Sequence, residues 1–311
     1  MTLTATEGLE RIASVKNYSP VFVSFSSREG HILAASNGLF TPQIPGQPHF
    51  AWGGTMTSFR KKGNRLEERL KGSPVKGIGF SGLAKYPLLE NQGEDRILIL
   101  HHDGEKHYNF VTVYNITEQG ELELVHPHAQ VFSHDSHNPA LSRNGRYLAV
   151  SESSRVAIFD VRKGFKKVSE RNIGQYVADL SFSPEGHLAV LDTYDGGKIH
   201  VHDVNDDLKE LAVISEEEGI GKSLHYLPDG SVVVGRLVKR KFNDMLPKGV
   251  LRRTNLLTGK SEVLMEEQEG SGIKDLDVSN DGRYVVTTGY LPFCKSEIAL
   301  YKLPPVNVSL S

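Results

Sequence analysis

The chain has very little cysteine, tryptophan and uninterrupted apolar sequence. Among its 311 residues, Cys294 is the single cysteine and Trp52 the single tryptophan. One cysteine excludes an internal disulfide framework and any zinc cluster built from several cysteines. The longest apolar runs, such as Ile97–Leu100, are far too short to cross a bilayer. The sequence therefore predicts a protein without a membrane span.

The chain has no strong net charge, and its first residues do not predict a secretory leader. The formal charge is −2 at pH 7, which disfavours a protein that binds nucleic acid as a polycation. Glu7 and Glu10 stand where a signal peptide would need an apolar core. Hydrophobic residues make up 38% of the chain and charged residues 24%, as in a globular protein with a sizeable core. We expect a cytoplasmic protein.

What the sequence has in abundance is a pair of short strands joined by a turn. Its plainest copy lies within Val177–Val204, where apolar and polar residues alternate on both sides of a glycine. Glycine is favoured there because a short hairpin turn needs a positive φ. A further pair, Val75–Ser81 and Arg96–Leu100, is joined by the longer segment Gly82–Asp95 and brings the number of units to six. The turn glycines of the other units are Gly30, Gly145, Gly186, Gly230 and Gly282.

A second hairpin follows each pair, as in Ile199–Val213. The sixth copy stops after Ile298–Leu303, because two prolines follow and proline cannot donate to a strand ladder. The segment Leu9–Val15 is a spare strand before the first unit, and it can supply the missing outer strand. The sequence thus predicts a single all-β domain over residues 1–311, a ring of six four-stranded units closed by the N-terminal strand.

Several segments resemble the WD40/YVTN type of β-propeller. They are FSPEG, YLPDG and SNDGRYVV, with IHVHDV and VAIFDV in the second hairpins. The resemblance implies a β-propeller of four-stranded blades, and the commoner number of seven leaves a cryptic seventh blade open. The Trp-Asp dipeptide of WD40 repeats is absent, and Trp52 falls in a predicted loop. The resemblance implies an architecture and no particular activity.

Four insertions fall on one face of the predicted ring, whereas the opposite face has only Gly82–Asp95. With strands A to D in each blade, the B–C loops and the D–A connections emerge together, and we call this side the B–C/D–A face. Loops elaborated on one end of a rigid scaffold usually carry binding residues. We therefore predict a binding surface on this face that includes Trp52. The insertions are Asn37–Thr55, His101–Asn109, His126–His137 and Arg236–Val250.

Histidine is concentrated in two neighbouring insertions of this face. Imidazole and carboxylate groups suit a divalent metal when three or more of them converge. The absence of a fixed ligand spacing favours ordinary loop histidines instead, so we expect no cofactor and leave a divalent metal open. The binding-face candidates are His101, His102, Asp103, His107, His126, His128, His134, Asp135 and His137. The candidate metal ligands among them are His101, His102, His134 and His137.

The insertion of the fifth unit is basic and contains an aromatic residue. Exposed apolar side chains rimmed by charge mark interfaces, so this loop indicates a protein or peptide partner, and an acidic one. The alternative is a solvated loop whose charge is balanced by acids such as Glu216–Glu218. The candidate residues are Arg236, Lys239, Arg240, Lys241 and Phe242.

Two functions follow, and the sequence favours the first. The first is a non-enzymatic scaffold that binds a protein or peptide through the B–C/D–A face. The second depends on HPHAQVF (His126–Phe132), which resembles part of the propeller-type lactonase family. That resemblance implies a hydrolase or isomerase with a histidine-rich, metal-binding site at the channel mouth. It covers one blade, and the insertion Ser133–Asn138 interrupts it.

Overall fold

A computed structural model shows the chain as an array of β-strands. It describes residues 9–16, 22–26, 31–40, 51–62, 65–72, 79–85, 95–103, 108–119, 121–126, 131–132, 136–174, 176–193, 197–215, 219–238, 248–267, 271–291 and 295–304. Within these ranges there are 25 strands, one short 3₁₀ helix at Val161–Lys163, and no α-helix. Nor does this part of the chain contain a helix that could cross a membrane.

The strands fall into six units of consecutive antiparallel strands. Unit 1 consists of β2 (Phe22–Phe25), β3 (Ile32–Phe40), β4 (Ala51–Lys62) and β5 (Arg65–Gly72). Unit 2 consists of β6 (Gly79–Lys85), β7 (Asp95–Asp103), β8 (Tyr108–Ile116), β9 (Leu122–His126) and β10 (Val131–Phe132). Unit 3 consists of β11 (Ser136–Leu141), β12 (Tyr147–Glu152), β13 (Arg155–Asp160) and β14 (Lys166–Asn172). Unit 4 consists of β15 (Val177–Phe182), β16 (His187–Asp192), β17 (Ile199–Asp203) and β18 (Lys209–Ile214). Unit 5 consists of β19 (Ile220–Tyr226), β20 (Val232–Val238), β21 (Lys248–Thr254) and β22 (Ser261–Glu266). Unit 6 consists of β23 (Gly272–Val278), β24 (Tyr284–Leu291), β25 (Lys295–Lys302) and the N-terminal β1 (Glu10–Lys16).

The sheets follow these units closely. Units 3, 4 and 5 each form a separate four-stranded sheet with the strands in chain order. In unit 2 the outer edge is divided, because β9 and β10 both pair with β8. Units 1 and 6 belong to one eight-stranded path, whose halves meet at the parallel pair Ser14↔Arg65. The all-β class and the repeated four-stranded sheets predicted from the sequence are confirmed.

The N-terminal strand holds the outer position of unit 6. β1 pairs antiparallel with β25, from Glu10↔Lys302 to Lys16↔Glu297. Just before it, the N–H of Leu9 donates to the carbonyl of Leu264 in unit 5 at 3.4 Å. The strand therefore contacts units 5, 6 and 1. It lies where the sequence placed Leu9–Val15.

The hairpin turns between the first two strands share one geometry. In units 3 to 6 the turn glycine has a positive φ, and its N–H donates to the carbonyl of the residue three positions earlier. Only a residue without a Cβ adopts this conformation at low cost. The prediction is confirmed for Gly145, Gly186, Gly230 and Gly282. Gly30 lies outside the described residues.

The apolar core lies between neighbouring units. Each of six buried clusters joins side chains of two units, and one of them joins unit 6 to unit 1 through Ala13, Phe59 and Val286. The first strands also contact one another in cyclic order, from β2 through β6, β11, β15, β19 and β23 back to β2. Every unit therefore packs against two neighbours in the described part of the chain.

Three boundaries predicted from the sequence were wrong. Trp52 lies in β4 and pairs with Leu39, because the ladder between β3 and β4 continues through polar residues that break the apolar alternation. In unit 2 the predicted strand Val75–Ser81 continues to Lys85 and contains a register shift that the pattern did not reveal, while residues 75–78 lie outside the described ranges. The predicted loop His101–Asn109 is shorter, because β7 continues to Asp103.

Candidate functional site

Each first strand lies at one edge of its unit, and in β2 and β19 side chains of a neighbouring unit accept hydrogen bonds from the strand's N–H groups. Asp179 in unit 4 accepts the N–H of Leu224 in unit 5 at 2.8 Å. Asp275 in unit 6 accepts the N–H of Val23 in unit 1 at 2.7 Å. Buried N–H groups without partners are costly, so these carboxyl groups have a structural role. Ser181 and Asp277 bond in the same way to Tyr226 and Phe25.

Burial strongly perturbs two of these carboxyl groups. Desolvation raises the pKa of Asp179 to about 7, against the opposing effect of its backbone hydrogen bonds. Desolvation, together with repulsion from Asp179 and Asp277, raises the pKa of Asp275 well above its ordinary value. A substantial share of these groups is therefore protonated near neutral pH.

Close to their starting ends, the first strands carry β-bulges. The register against the second strand shifts between Val177 and Asp179 in unit 4, between Gly221 and Ser223 in unit 5, and between Ile273 and Asp275 in unit 6. The extra residue of a bulge is left unpaired and its side chain is re-aimed. The extra residues are Ala178, Lys222 and Lys274, and a wider shift in unit 3 includes Asn138.

These bulge residues line a common cavity of about 350 Å³. We call it the mouth cavity, and it lies where the first strands begin, on the B–C/D–A face. Asp179 and Asp275 also line it, at greater depth along the strands. The remaining lining residues are Phe22, Asn138, Ala178, Lys222, Ile273 and Lys274.

The rim of the mouth cavity includes a strained asparagine. Asn138 has φ 47°, a left-handed conformation that non-glycine residues seldom adopt. Its Nδ2 donates to the carbonyl of Ala178 at 2.6 Å and so bridges units 3 and 4. Asparagine tolerates this conformation better than most residues with a Cβ, and the bond to Ala178 holds it in place.

Two exposed apolar side chains belong to residues just before strand positions that line the mouth cavity. Tyr176 and Ile220 are each 45% exposed, which is high for large apolar residues. Tyr176 stands two positions before Ala178, and Ile220 stands two positions before Lys222, so they occupy equivalent places in units 4 and 5. The B–C/D–A face therefore combines amines and exposed apolar groups over three adjacent units, 4, 5 and 6.

A second cavity of about 390 Å³ lies further along the first strands. It is lined by residues from all six units, and we call it the central cavity. His225 lines it, and its Nδ1 lies 3.0 Å from Oδ1 of Asp277. The other oxygen of Asp277 accepts the N–H of Phe25 and the hydroxyl of Ser24. The carboxylate can thus fix the orientation of the imidazole.

The predicted histidines do not gather at either cavity as far as the structure describes them. His101 is a core residue: it is fully buried, its Nε2 lies 2.5 Å from Oγ1 of Thr112, and its ring stacks on Phe110. His137 is half-buried at the start of β11. Neither residue lines the mouth cavity or the central cavity. His102 and Asp103 lie in β7, and His126 ends β9.

The other candidates of the two histidine insertions lie outside the described residues, namely His107, His128, His134 and Asp135. The metal site therefore stays a prediction there. Within the described ranges, no three histidine, cysteine, aspartate or glutamate residues are grouped to hold a metal ion.

Near its two described ends, the basic insertion has buried charged residues. Arg236 is fully buried and donates to the carbonyl of Gly197 at 2.5 Å, so it is not a surface residue of the binding face. Lys248 is buried and pairs with Glu266. The physical reason is that β20 and β21 extend into the insertion and bring these residues between the sheets. Lys239, Arg240, Lys241 and Phe242 lie outside the described residues.

Sequence reasoning missed Lys222 and Lys274, although a signal was present. Both lysines stand eight residues before the turn glycine of their unit, as Ala178 does before Gly186. The offset marks equivalent positions, but the alternation pattern does not show that a bulge turns them toward a cavity. That information lies in the strand register.

No protein-family model matches the chain, and a search of curated proteins found no match.

Proposed function

We propose that the chain is a six-bladed β-propeller of the WD40/YVTN type that binds a protein or peptide partner through its B–C/D–A face. The cyclic contacts of the first strands and the buried cluster at each seam support the ring. The first strands then surround the central channel. In this proposal, each of the six units is one blade.

One observation carries the choice of face and partner. Tyr176 and Ile220 are exposed, and each stands two residues before a residue that lines the cavity of Lys222 and Lys274. Apolar groups close to charged ones are typical of protein interfaces, and the two amines favour an acidic partner. The expected ligand is an acidic segment with at least one large apolar residue.

Selection of peptides from a displayed random library tests this proposal. We expect enriched peptides to contain acidic and apolar residues and to lose at least tenfold in affinity for the double variant Tyr176→Ala/Ile220→Ala. The matched control is Leu257→Ala, because Leu257 is 98% exposed in the turn between β21 and β22, on the opposite face. Peptides that bind the double variant as well as the parent protein would place the interface elsewhere.

A lactonase-like hydrolase is the second candidate, and His225 is the residue that favours it. With its Nδ1 beside Asp277, the ring keeps Nε2 to accept a proton from water in the central cavity. The oxygen of that water would attack the lactone carbonyl, the ring C–O bond would break, and His225 would return the proton to the leaving alkoxide. The products are a hydroxy acid and the original histidine.

This alternative has its own assay. Acid release from a panel of simple lactones should depend on His225 and be lost in His225→Gln, while Tyr176→Ala/Ile220→Ala keeps it. Equal rates for the parent protein, the His225→Gln variant and buffer would remove the hydrolase candidate. That result leaves peptide binding unaffected.

A further inference from the structure

Lys222 and Lys274 occupy equivalent positions in adjacent units. Each is the extra residue of a bulge, in β19 and in β23, and these two strands contact each other. Both residues line the mouth cavity. Two positively charged residues thus border one space, each at a bulge of the same kind.

The carboxyl groups of the same cavity already have other partners. Asp179 accepts the N–H groups of Leu180 and Leu224, both at 2.8 Å, and Asp275 accepts that of Val23. Burial also raises the pKa of Asp179 to about 7, so its negative charge is reduced at neutral pH. An anion that enters the mouth cavity therefore meets less repulsion than two ionised aspartates would produce.

The environment of Lys274 favours an anion further. Partial burial lowers the pKa of Lys274, because the ammonium group has lost some of its water. A desolvated cation gains more from a nearby anion than an exposed cation does. Asn138 fixes the rim on the unit 3 side through its bond to Ala178.

We propose that Lys222 and Lys274 form an oxyanion subsite, rimmed by Asn138, that receives one carboxylate or phosphate group of the partner. This inference rests on the proposed function, since the subsite is the polar part of the same interface. The ligand chemistry is a planar or tetrahedral oxyanion that two amines can contact together. The apolar groups Tyr176 and Ile220 would contact the flanking part of the ligand.

Chemical-shift titrations of isotope-labelled full-length protein test the subsite. Inorganic phosphate is one probe, and acetylated tetra-aspartate is the other, so that the two arms separate phosphate from carboxylate recognition. For Lys222→Met/Lys274→Met we expect at least tenfold weaker binding of the preferred probe. The matched control Lys260→Met removes an exposed lysine in the turn between β21 and β22 and should bind as the parent protein does. Lys222→Arg/Lys274→Arg should keep most of the affinity.

The outcomes separate this inference from the proposed function. Unchanged binding of both probes to a folded Lys222→Met/Lys274→Met variant would overturn the subsite; the single variant Lys222→Met serves if the double variant does not fold. If selected peptides then still depend on Tyr176 and Ile220, the interface stands without the subsite. If the probes need the lysines but no peptide depends on Tyr176 and Ile220, the anion site stands and the peptide-binding proposal fails.

Discussion

The aspartates of the first strands hydrogen-bond to neighbouring strands, but their burial disfavours the ionised carboxylate. Asp179 bonds to a neighbouring strand, and yet desolvation raises its pKa to about 7. Its pKa in the unfolded chain is near 3.8. The folded protein therefore binds more protons between these values, and its stability falls as pH rises from about 4 to about 7.

Asp179→Asn should remove that part of the pH dependence. The amide oxygen can still accept one of the two N–H bonds, the second is lost because the amide nitrogen is a donor, and the side chain carries no charge at any pH. We expect the variant to have a higher melting temperature than the parent protein at pH 8, and no advantage at pH 4. Thermal melts across this range give the answer, with exposed Asp206→Asn as the control. A variant less stable at pH 8 would mean that the ionised carboxylate contributes more as an acceptor than it loses by burial.

Single residues also mark the limit of what the sequence could predict about the site. The turn glycines were predictable because their conformation excludes a Cβ. The histidines drew attention by residue type, but His101 proved to be a core residue that packs on Phe110. Lys222 and Lys274 were missed because their side-chain direction depends on a bulge, which pairing with a second strand produces.

At the scale of the element, two hairpin turns of the same kind should differ in their tolerance of a side chain. Gly186 has φ +95° and nothing within 4 Å of a Cβ, whereas a Cβ at Gly282 would lie 2.7 Å from Cδ of Pro228. Gly186→Ala should cost about 1 kcal/mol for the left-handed conformation alone. Gly282→Ala should cost about 1 to 3 kcal/mol more, because Pro228 must move. Urea unfolding of both variants measures the difference, and equal losses would show that the Pro228 contact relaxes freely.

The N-terminal strand is the second element with a testable role. Ala13 is buried in β1, opposite Leu300, within the cluster that joins units 6 and 1. Ala13→Asp places a carboxylate in that cluster and should destabilise the protein by about 3 kcal/mol. Glu10→Gln, at an exposed position of the same strand, should have little effect. Urea unfolding distinguishes them, and an undiminished Ala13→Asp variant would show that β1 is not needed for closure.

Elements were predictable where the alternation pattern was regular. Unit 4 matches the sequence because its short turns and apolar strands leave one register. The strand ends of unit 1 were harder to predict from the sequence. The ladder between β3 and β4 continues through Asn37, Gly38 and Trp52 without an apolar alternation. Backbone hydrogen bonds hold these extensions. Because the backbone groups are the same in every residue, such bonds leave no pattern in the sequence that would predict the extensions.

For the whole molecule, the cyclic arrangement of clusters has a consequence for unfolding. In an open array of repeats, a lesion in one unit leaves distant units folded, because each unit depends on its nearest neighbours alone. Here the first strands contact one another in a closed cycle, so the loss of one unit exposes a cluster on both of its sides. We therefore expect cooperative unfolding of the entire chain.

Leu188→Ala tests this cooperativity. Leu188 is fully buried in the cluster between units 3 and 4, and its truncation should cost about 3 kcal/mol. Trp52, the single tryptophan, lies in β4 of unit 1 and reports on a distant unit. For Leu188→Ala, the urea concentration at the unfolding midpoint should fall relative to the parent protein. The fall measured by Trp52 fluorescence should equal the fall measured by far-ultraviolet circular dichroism. A fluorescence midpoint that stays at the parent value would show that unit 1 unfolds independently, as in an open array.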